Sequence, residues 1–175
     1  EDTYITMDFM KHRAPVIKAL CLNIAHDCNL KCNYCFAKQG DFGGKKCLMP
    51  LHVGKKALDF LVANSGQRRN LEVDFFGGEP LMNFQVVKDL VAYGRALEKT
   101  HNKNFRFTIT TNGVLLNEES IDFINTHMDN AVLSLDGRKN INDDMRRTLV
   151  DGGSYDIIVP KYQKLLAKRG HKSYY

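Results

Sequence analysis

From about residue 17 onward, short stretches with apolar residues at every second position alternate with longer stretches whose apolar residues recur every three or four. The first kind is the signature of half-buried strands and the second of amphipathic helices. A strand is expected over 17 to 25, with Leu20, Leu22 and Ile24 on one face, and a helix over about 51 to 65, with Leu58, Leu61 and Val62 on one stripe and a stop near Gly66. A second strand over 71 to 76 ends at Gly77, Gly78, Glu79 and Pro80; Asn83 is placed to cap a helix carrying Val86, Val87, Leu90, Val91 and Leu97. A third strand over 105 to 111 ends at Asn112 and Gly113. A short helix with Ile121, Phe123, Ile124 and Met128 then leads to a fourth strand over 131 to 135, which ends at Asp136 and Gly137. A helix over roughly 154 to 169 closes at Gly170, with Pro160 expected to kink it or delay its start, and 171 to 175 opens a fifth strand.

Strand, loop and helix alternating four times imply an α/β fold, a parallel sheet with helices outside it. Period two puts Phe105, Phe107 and Ile109 toward the helices and Thr108, Thr110 and Asn112 the other way; Ser134 and Asp136 likewise oppose Leu133 and Leu135. A polar inner face with glycine turns at the C-terminal strand ends suits a barrel mouth, and a doubly wound sheet also binds ligands at those ends, so the pattern alone leaves both open. Residues 1–16 show no sustained period and form a linker or leader segment; residues 17–175 form one domain, which stops as a strand begins and so is expected to be the N-terminal portion of a larger enzyme.

Composition narrows the class. The chain has 175 residues, 43% hydrophobic and 26% charged, ordinary values for a folded soluble domain. No apolar run reaches bilayer length, no signal peptide opens the chain, and the net charge of +5 is scattered rather than gathered into a basic stripe, so neither membrane nor nucleic acid is an expected partner. Five cysteines are an odd number, and without a secretory segment they point to a reducing, cytoplasmic setting rather than a disulfide framework.

The candidate chemistry begins with Cys28, Cys32 and Cys35, a C-x3-C-x2-C triplet directly after the first strand. A cubane iron-sulfur cluster has four irons, so three thiolates leave one iron free for a substrate. Zinc is the competing ligand, with His26 or Cys47 as a possible fourth donor, although its usual signature is two separated pairs. Cys21, on the inward face of the first strand, is expected to be a small core residue, and Cys47 to be unligated. The remaining histidines, His12, His52, His101, His127 and His171, have no convergent partners.

The triplet, with Tyr34 just before its last cysteine, resembles the motif of the radical S-adenosylmethionine (SAM) enzymes. The resemblance implies a 4Fe-4S cluster held by the three cysteines in a partial (β/α) TIM-type barrel, truncated here after about four βα units, and reductive cleavage of SAM to a hydrogen-abstracting 5′-deoxyadenosyl radical. It also assigns candidate cofactor contacts. Gly77, Gly78 and Glu79 match the family's GGE segment, the glycines admitting the methionyl group and the carboxylate partnering its ammonium; a plain turn is the alternative for Glu79. Thr110 and Asn112, and Ser134 and Asp136, match segments that lie along the SAM ribose and carboxylate, with strand-end capping as the alternative. Arg147 precedes Gly152, Gly153 and Ser154 at a spacing similar to an Arg-containing segment of peptide-modifying members, where it would pair with the SAM carboxylate; Arg146 is adjacent, and a solvated role is the alternative.

Within the superfamily, the combination resembles peptide-modifying enzymes with a C-terminal SPASM region, above all the SCIFF peptide maturases. That implies thioether cross-linking of a small cysteine-rich precursor peptide and a low-potential electron donor such as ferredoxin or flavodoxin. An anaerobic sulfatase maturase, which forms formylglycine, shares the same segments. A zinc-stabilised binding module without catalysis is the alternative from another class.

Overall fold

The computed structural model describes residues 16–170 and, by backbone alone, residues 173–174. Residues 1–15, where the linker or leader is expected, lie outside the described residues, as does His171.

Four expected strands are present as β1 (Ala19–His26), β4 (Asn70–Gly77), β5 (Asn104–Thr111) and β6 (Asn130–Leu133), and the expected fifth as the short β8 (Ser173–Tyr174). They pair in parallel and in chain order, β1-β4-β5-β6-β8, while the two-residue β3 (Cys47–Leu48) runs antiparallel along the free edge of β1. Chain-order parallel strands joined through helices form the wall of a βα barrel.

The helices are α1 (Leu51–Ala63), α2 (Phe84–His101), α3 (Glu118–His127), α4 (Lys139–Met145) and α5 (Tyr155–Arg169). The core lies between them and one sheet face: Leu22, Ile24, Val73, Phe75, Phe107 and Ile109 are buried against Leu58, Leu61, Val87, Leu90 and Ile121. The Phe75, Phe107 and Phe105 rings stack at successive centroid spacings of 5.7 Å, so the alternation seen in the sequence becomes a continuous aromatic seam. Helix α3 starts at a reciprocal cap in which Asn117 and Ser120 each accept the other's backbone N–H.

Two local expectations, at Asn83 and Pro160, meet a different outcome. Asn83 stands at the start of α2 but makes no cap bond; its amide donates to the carbonyls of Ile24 (3.0 Å) and Met49 (2.9 Å), tying the helix start to β1 and to the chain beyond β3. Pro160 does not delay α5, which starts at Tyr155 and carries the proline inside it. Residues 139–148, between the fourth expected strand and the last expected helix, form α4 and the strand β7 (Arg146–Thr148). β7 pairs antiparallel with β2 (Leu30–Cys32), matching Cys32 to Arg146, Lys31 to Arg147 and Leu30 to Thr148. This small second sheet fastens the cysteine loop to the strand that follows α4. Among the described residues no helix is long and apolar enough to cross a membrane.

Candidate functional site

The C-terminal ends of β1 and β4 meet so closely that only glycine fits between them. Gly78 N–H donates to the carbonyl of Ala25 (2.8 Å) and Glu79 N–H to that of Asp27 (2.9 Å). A Cβ on Gly78 would sit 2.1 Å from the Asp27 carbonyl oxygen and 2.8 Å from the Cα of Gly40. Three backbone segments therefore converge behind the cysteine loop, and the Gly-Gly pair is required by that convergence, whatever approaches from the open side.

In front of them the loop presents Cys28, Cys32 and Cys35 to one cavity of about 200 Å³. Its walls also carry Tyr34, Phe36, Phe76, Gly77, Gly78, Thr110, Asn112, Ser134 and Arg146. Backbone N–H groups aim at two of the sulfurs, Leu30 at Cys28 Sγ (3.5 Å) and Gln39 at Cys35 Sγ (3.2 Å), and the Asn112 amide reaches Cys28 Sγ at 3.6 Å. Burial pushes the Cys28 thiol up to about 11 and also raises Cys32, whose rise the Arg146 guanidinium moderates. A bound metal would supply the opposing charge that favours the thiolates. Among the described residues no three His, Cys, Asp or Glu side chains converge on one point as ligands of a single ion would. Three thiols spread around one cavity, with N–H groups directed at sulfur, fit a multi-iron cluster better than a mononuclear zinc site.

Among the other expected contacts, the structure brings Tyr34, Gly77, Gly78, Thr110, Asn112 and Ser134 to the cavity. Glu79 is turned away from it. Its side chain is fully buried, Oε1 accepting from Leu81 N–H (3.0 Å) and the Thr111 hydroxyl (2.8 Å) and Oε2 from Asn112 N–H (2.8 Å). Burial raises its carboxyl to about 7 against the pull of those donors. The bonds from Thr111 and Asn112 join the turn after β4 to the end of β5 and the bond from Leu81 closes the turn itself, so in this geometry Glu79 ties two strand ends together. Asp136 stands behind the wall, accepting from the Tyr34 hydroxyl (2.6 Å) and pairing with Arg146, whose Nε lies 3.1 Å away without the N–H aimed well enough to bond.

Arg147 is likewise corrected. It leans outward onto Asp144 (2.8 Å) at the surface, while Arg146, its neighbour on β7, enters the cavity wall and lies 5.4 Å from the Tyr34 ring centre. Adjacent strand residues point to opposite faces, so only one of the two can reach the site. Period two along 146–148 would have separated them had the strand been recognised. Sequence reasoning also passed over Phe36, 76% exposed and stacked on Phe76 with ring centres 6.3 Å apart, although its place directly after the last cysteine is a usable signal. Cys21 is exposed beside Asp74 rather than in the core, because it lies on the open concave face of the wall. Cys47 is free and exposed.

Comparison with known proteins agrees with this geometry. A family described as a 4Fe-4S single cluster domain matches residues 19–159. A cysteine-type anaerobic sulfatase-maturating enzyme of Clostridium novyi is 28% identical over 158 residues, covering 86% of this chain and 39% of that protein. A radical SAM cyclopropyl synthase of Paramaledivibacter caminithermalis is 24% identical over 134 residues, covering 69% and 27%. The structure of anSMEcpe with bound AdoMet superposes with a TM-score of 0.77 at 22% identity over 91% of this chain and 42% of that one. The chain thus spans well under half the length of each of these relatives. With its three cysteines gathered at the mouth of a parallel βα wall, the chain belongs to the 4Fe-4S single cluster domain family within the radical SAM superfamily.

Proposed function

We propose that this chain is the cluster- and SAM-binding part of a radical SAM enzyme that forms a thioether cross-link in a small cysteine-rich peptide. The observation that carries the cofactor reading is the shared cavity, which has three thiols on one side and small, polar and cationic groups on the other. Cys28, Cys32 and Cys35 would hold the cluster. Gly77 and Gly78 line the cavity and would present bare backbone to a SAM methionyl group, and the Thr110 and Ser134 hydroxyls suit a ribose. Arg146 is the cation suited to the SAM carboxylate, oriented by Asp136. Tyr34, tethered to the same Asp136, and the exposed Phe36 offer flat surfaces for an adenine ring. When bound, cluster and SAM together supply reductive cleavage and hydrogen-atom abstraction; the residues here bind, orient and exclude water.

Sulfatase maturation, with formylglycine as product, is the second reading. It is supported by the likeness to the Clostridium novyi enzyme and by the similar fold of anSMEcpe solved with AdoMet and a peptide. Both readings need a low-potential electron donor such as ferredoxin or flavodoxin. The test is anaerobic reconstitution followed by iron and sulfide analysis and titration of the reduced cluster with SAM, monitored by electron paramagnetic resonance. Equal iron and sulfide and a SAM-dependent change of spectrum are expected; zinc in place of iron, or a spectrum indifferent to SAM, overturns the proposal. Mass analysis of a cysteine-rich peptide treated with the full-length enzyme separates the two products, since the thioether removes two hydrogens only, whereas formylglycine formation removes two hydrogens from the cysteine CH2SH and then exchanges its sulfur, released as hydrogen sulfide, for oxygen from water.

A further inference from the structure

We propose that Asn112 sets the reduction potential of the cluster, as a side-chain hydrogen-bond donor to the sulfur of Cys28. The inference rests on the cluster assignment above and goes beyond it, because the resemblance places Asn112 along the SAM ribose and the structure commits its polar atoms elsewhere. The side-chain oxygen accepts from Val114 N–H (3.0 Å), which fixes which end of the amide is nitrogen. Nδ2 donates to Asn29 Oδ1 (2.8 Å) and reaches Cys28 Sγ at 3.6 Å, a normal length for a nitrogen donor to sulfur. The backbone N–H is held by Glu79 Oε2 (2.8 Å), and the residue is 7% exposed. Every polar group of Asn112 other than its own carbonyl is therefore engaged, and Glu79 acts through it as a positioning residue.

The consequence for the cluster follows from charge. Reduction adds one negative charge, shared with the ligand sulfurs, and a donor directed at a ligand sulfur stabilises the reduced form more than the oxidised form. The other donors to sulfur, Leu30 N–H and Gln39 N–H, belong to the backbone of the cysteine loop. Asn112 comes from β5 and is the donor that a substitution can remove while leaving the loop sequence intact.

The experiment is a potentiometric titration of the reconstituted protein without SAM, monitored by electron paramagnetic resonance, on the parent, Asn112→Leu and Asn112→Asp. Loss of the donor is expected to shift the reduction equilibrium toward the oxidised cluster by roughly tenfold, about 59 mV for a one-electron couple, and the added carboxylate of Asn112→Asp to shift it further. Unchanged potentials in both variants, with full iron content, overturn the inference and leave the cluster assignment standing; a parent that assembles no cluster overturns the assignment itself. Should the variants fail to fold, the parent supplies the second measurement. Protein labelled with 15N only in asparagine side chains should show a weak nitrogen coupling to the reduced cluster in pulsed resonance spectra, and absence of that coupling overturns the inference.

Discussion

Replacing Glu79 with alanine would leave three buried donors facing an empty space: the N–H groups of Leu81 and Asn112 and the hydroxyl of Thr111. The hydroxyl can rotate, whereas the two amides are fixed by the backbone. An orphaned buried donor costs about 1–3 kcal/mol, so the loss is about 2–6 kcal/mol, against a total stability on the order of 5–15 kcal/mol for a domain. At roughly 2–4 °C per kcal/mol for a chain of this size, a central loss of about 4 kcal/mol lowers the melting temperature by on the order of 10 °C. The measurement is thermal unfolding near pH 6, where the carboxyl is largely protonated in the folded protein and its removal relieves little buried charge. Glu72→Ala is the control, because its ion pair with Lys18 is exposed on both sides and such pairs contribute about 0–1 kcal/mol. If Glu79→Ala melts within the error of the parent while SAM affinity collapses, the carboxylate faces the ligand and the strand-tying role is refuted.

Three further outcomes are expected. Cys28→Ala, Cys32→Ala and Cys35→Ala should each abolish the cluster in iron and visible-absorption assays, and Cys21→Ala and Cys47→Ala should retain it; full iron in all three triplet variants would sink the cluster reading. Arg146→Ala should weaken SAM binding about tenfold, roughly 1.4 kcal/mol, while Arg147→Ala leaves it unchanged, and equal effects in the titration would contradict the placement of the two side chains. The folded-state carboxyl of Glu79 is raised from 4.5 to about 7, so folded protein holds this proton more tightly than unfolded protein does. That contribution is fully present below about pH 4.5 and is lost as pH rises through 7, a decline of roughly 3 kcal/mol in denaturant-derived stability that Glu79→Gln should flatten.

The parts of the fold that follow from periodicity were legible in the sequence: the alternation of Phe105, Phe107 and Ile109 with Thr108 and Thr110 fixed both the strand and its faces. The gathering of Cys28, Cys32 and Cys35 at one cavity was legible because they stand within one short loop after a strand. What escaped depends on partners distant in sequence. Helix α4 has two large apolar side chains, Ile141 and Met145, and both are exposed; buried Asn142 instead makes the tertiary contacts, donating to the Ser154 hydroxyl and accepting from Asp136 N–H. No local period announces such a helix. β2 and β7 have three residues each, too few to show alternation, so the choice between Arg146 and Arg147 was invisible. The orientation of Glu79 was hidden for a related reason: its donors at Thr111 and Asn112 lie a whole βα unit further along the chain.

The small β2–β7 sheet also dictates an order of events during biosynthesis. Asn33 bonds to the carbonyl of Asp144 across a separation of 111 residues, and Cys32 faces Arg146 in the same ladder. While the nascent chain is still emerging, the metal-binding loop is made early but lacks the strand that holds it, and its thiols remain unprotected until the segment beyond α4 leaves the ribosome. Iron loading is therefore expected to wait for β7, and chains stalled after α3 should carry the whole cysteine triplet yet retain no iron. Any agent that delivers a preassembled cluster would have to meet the polypeptide after β7 has emerged.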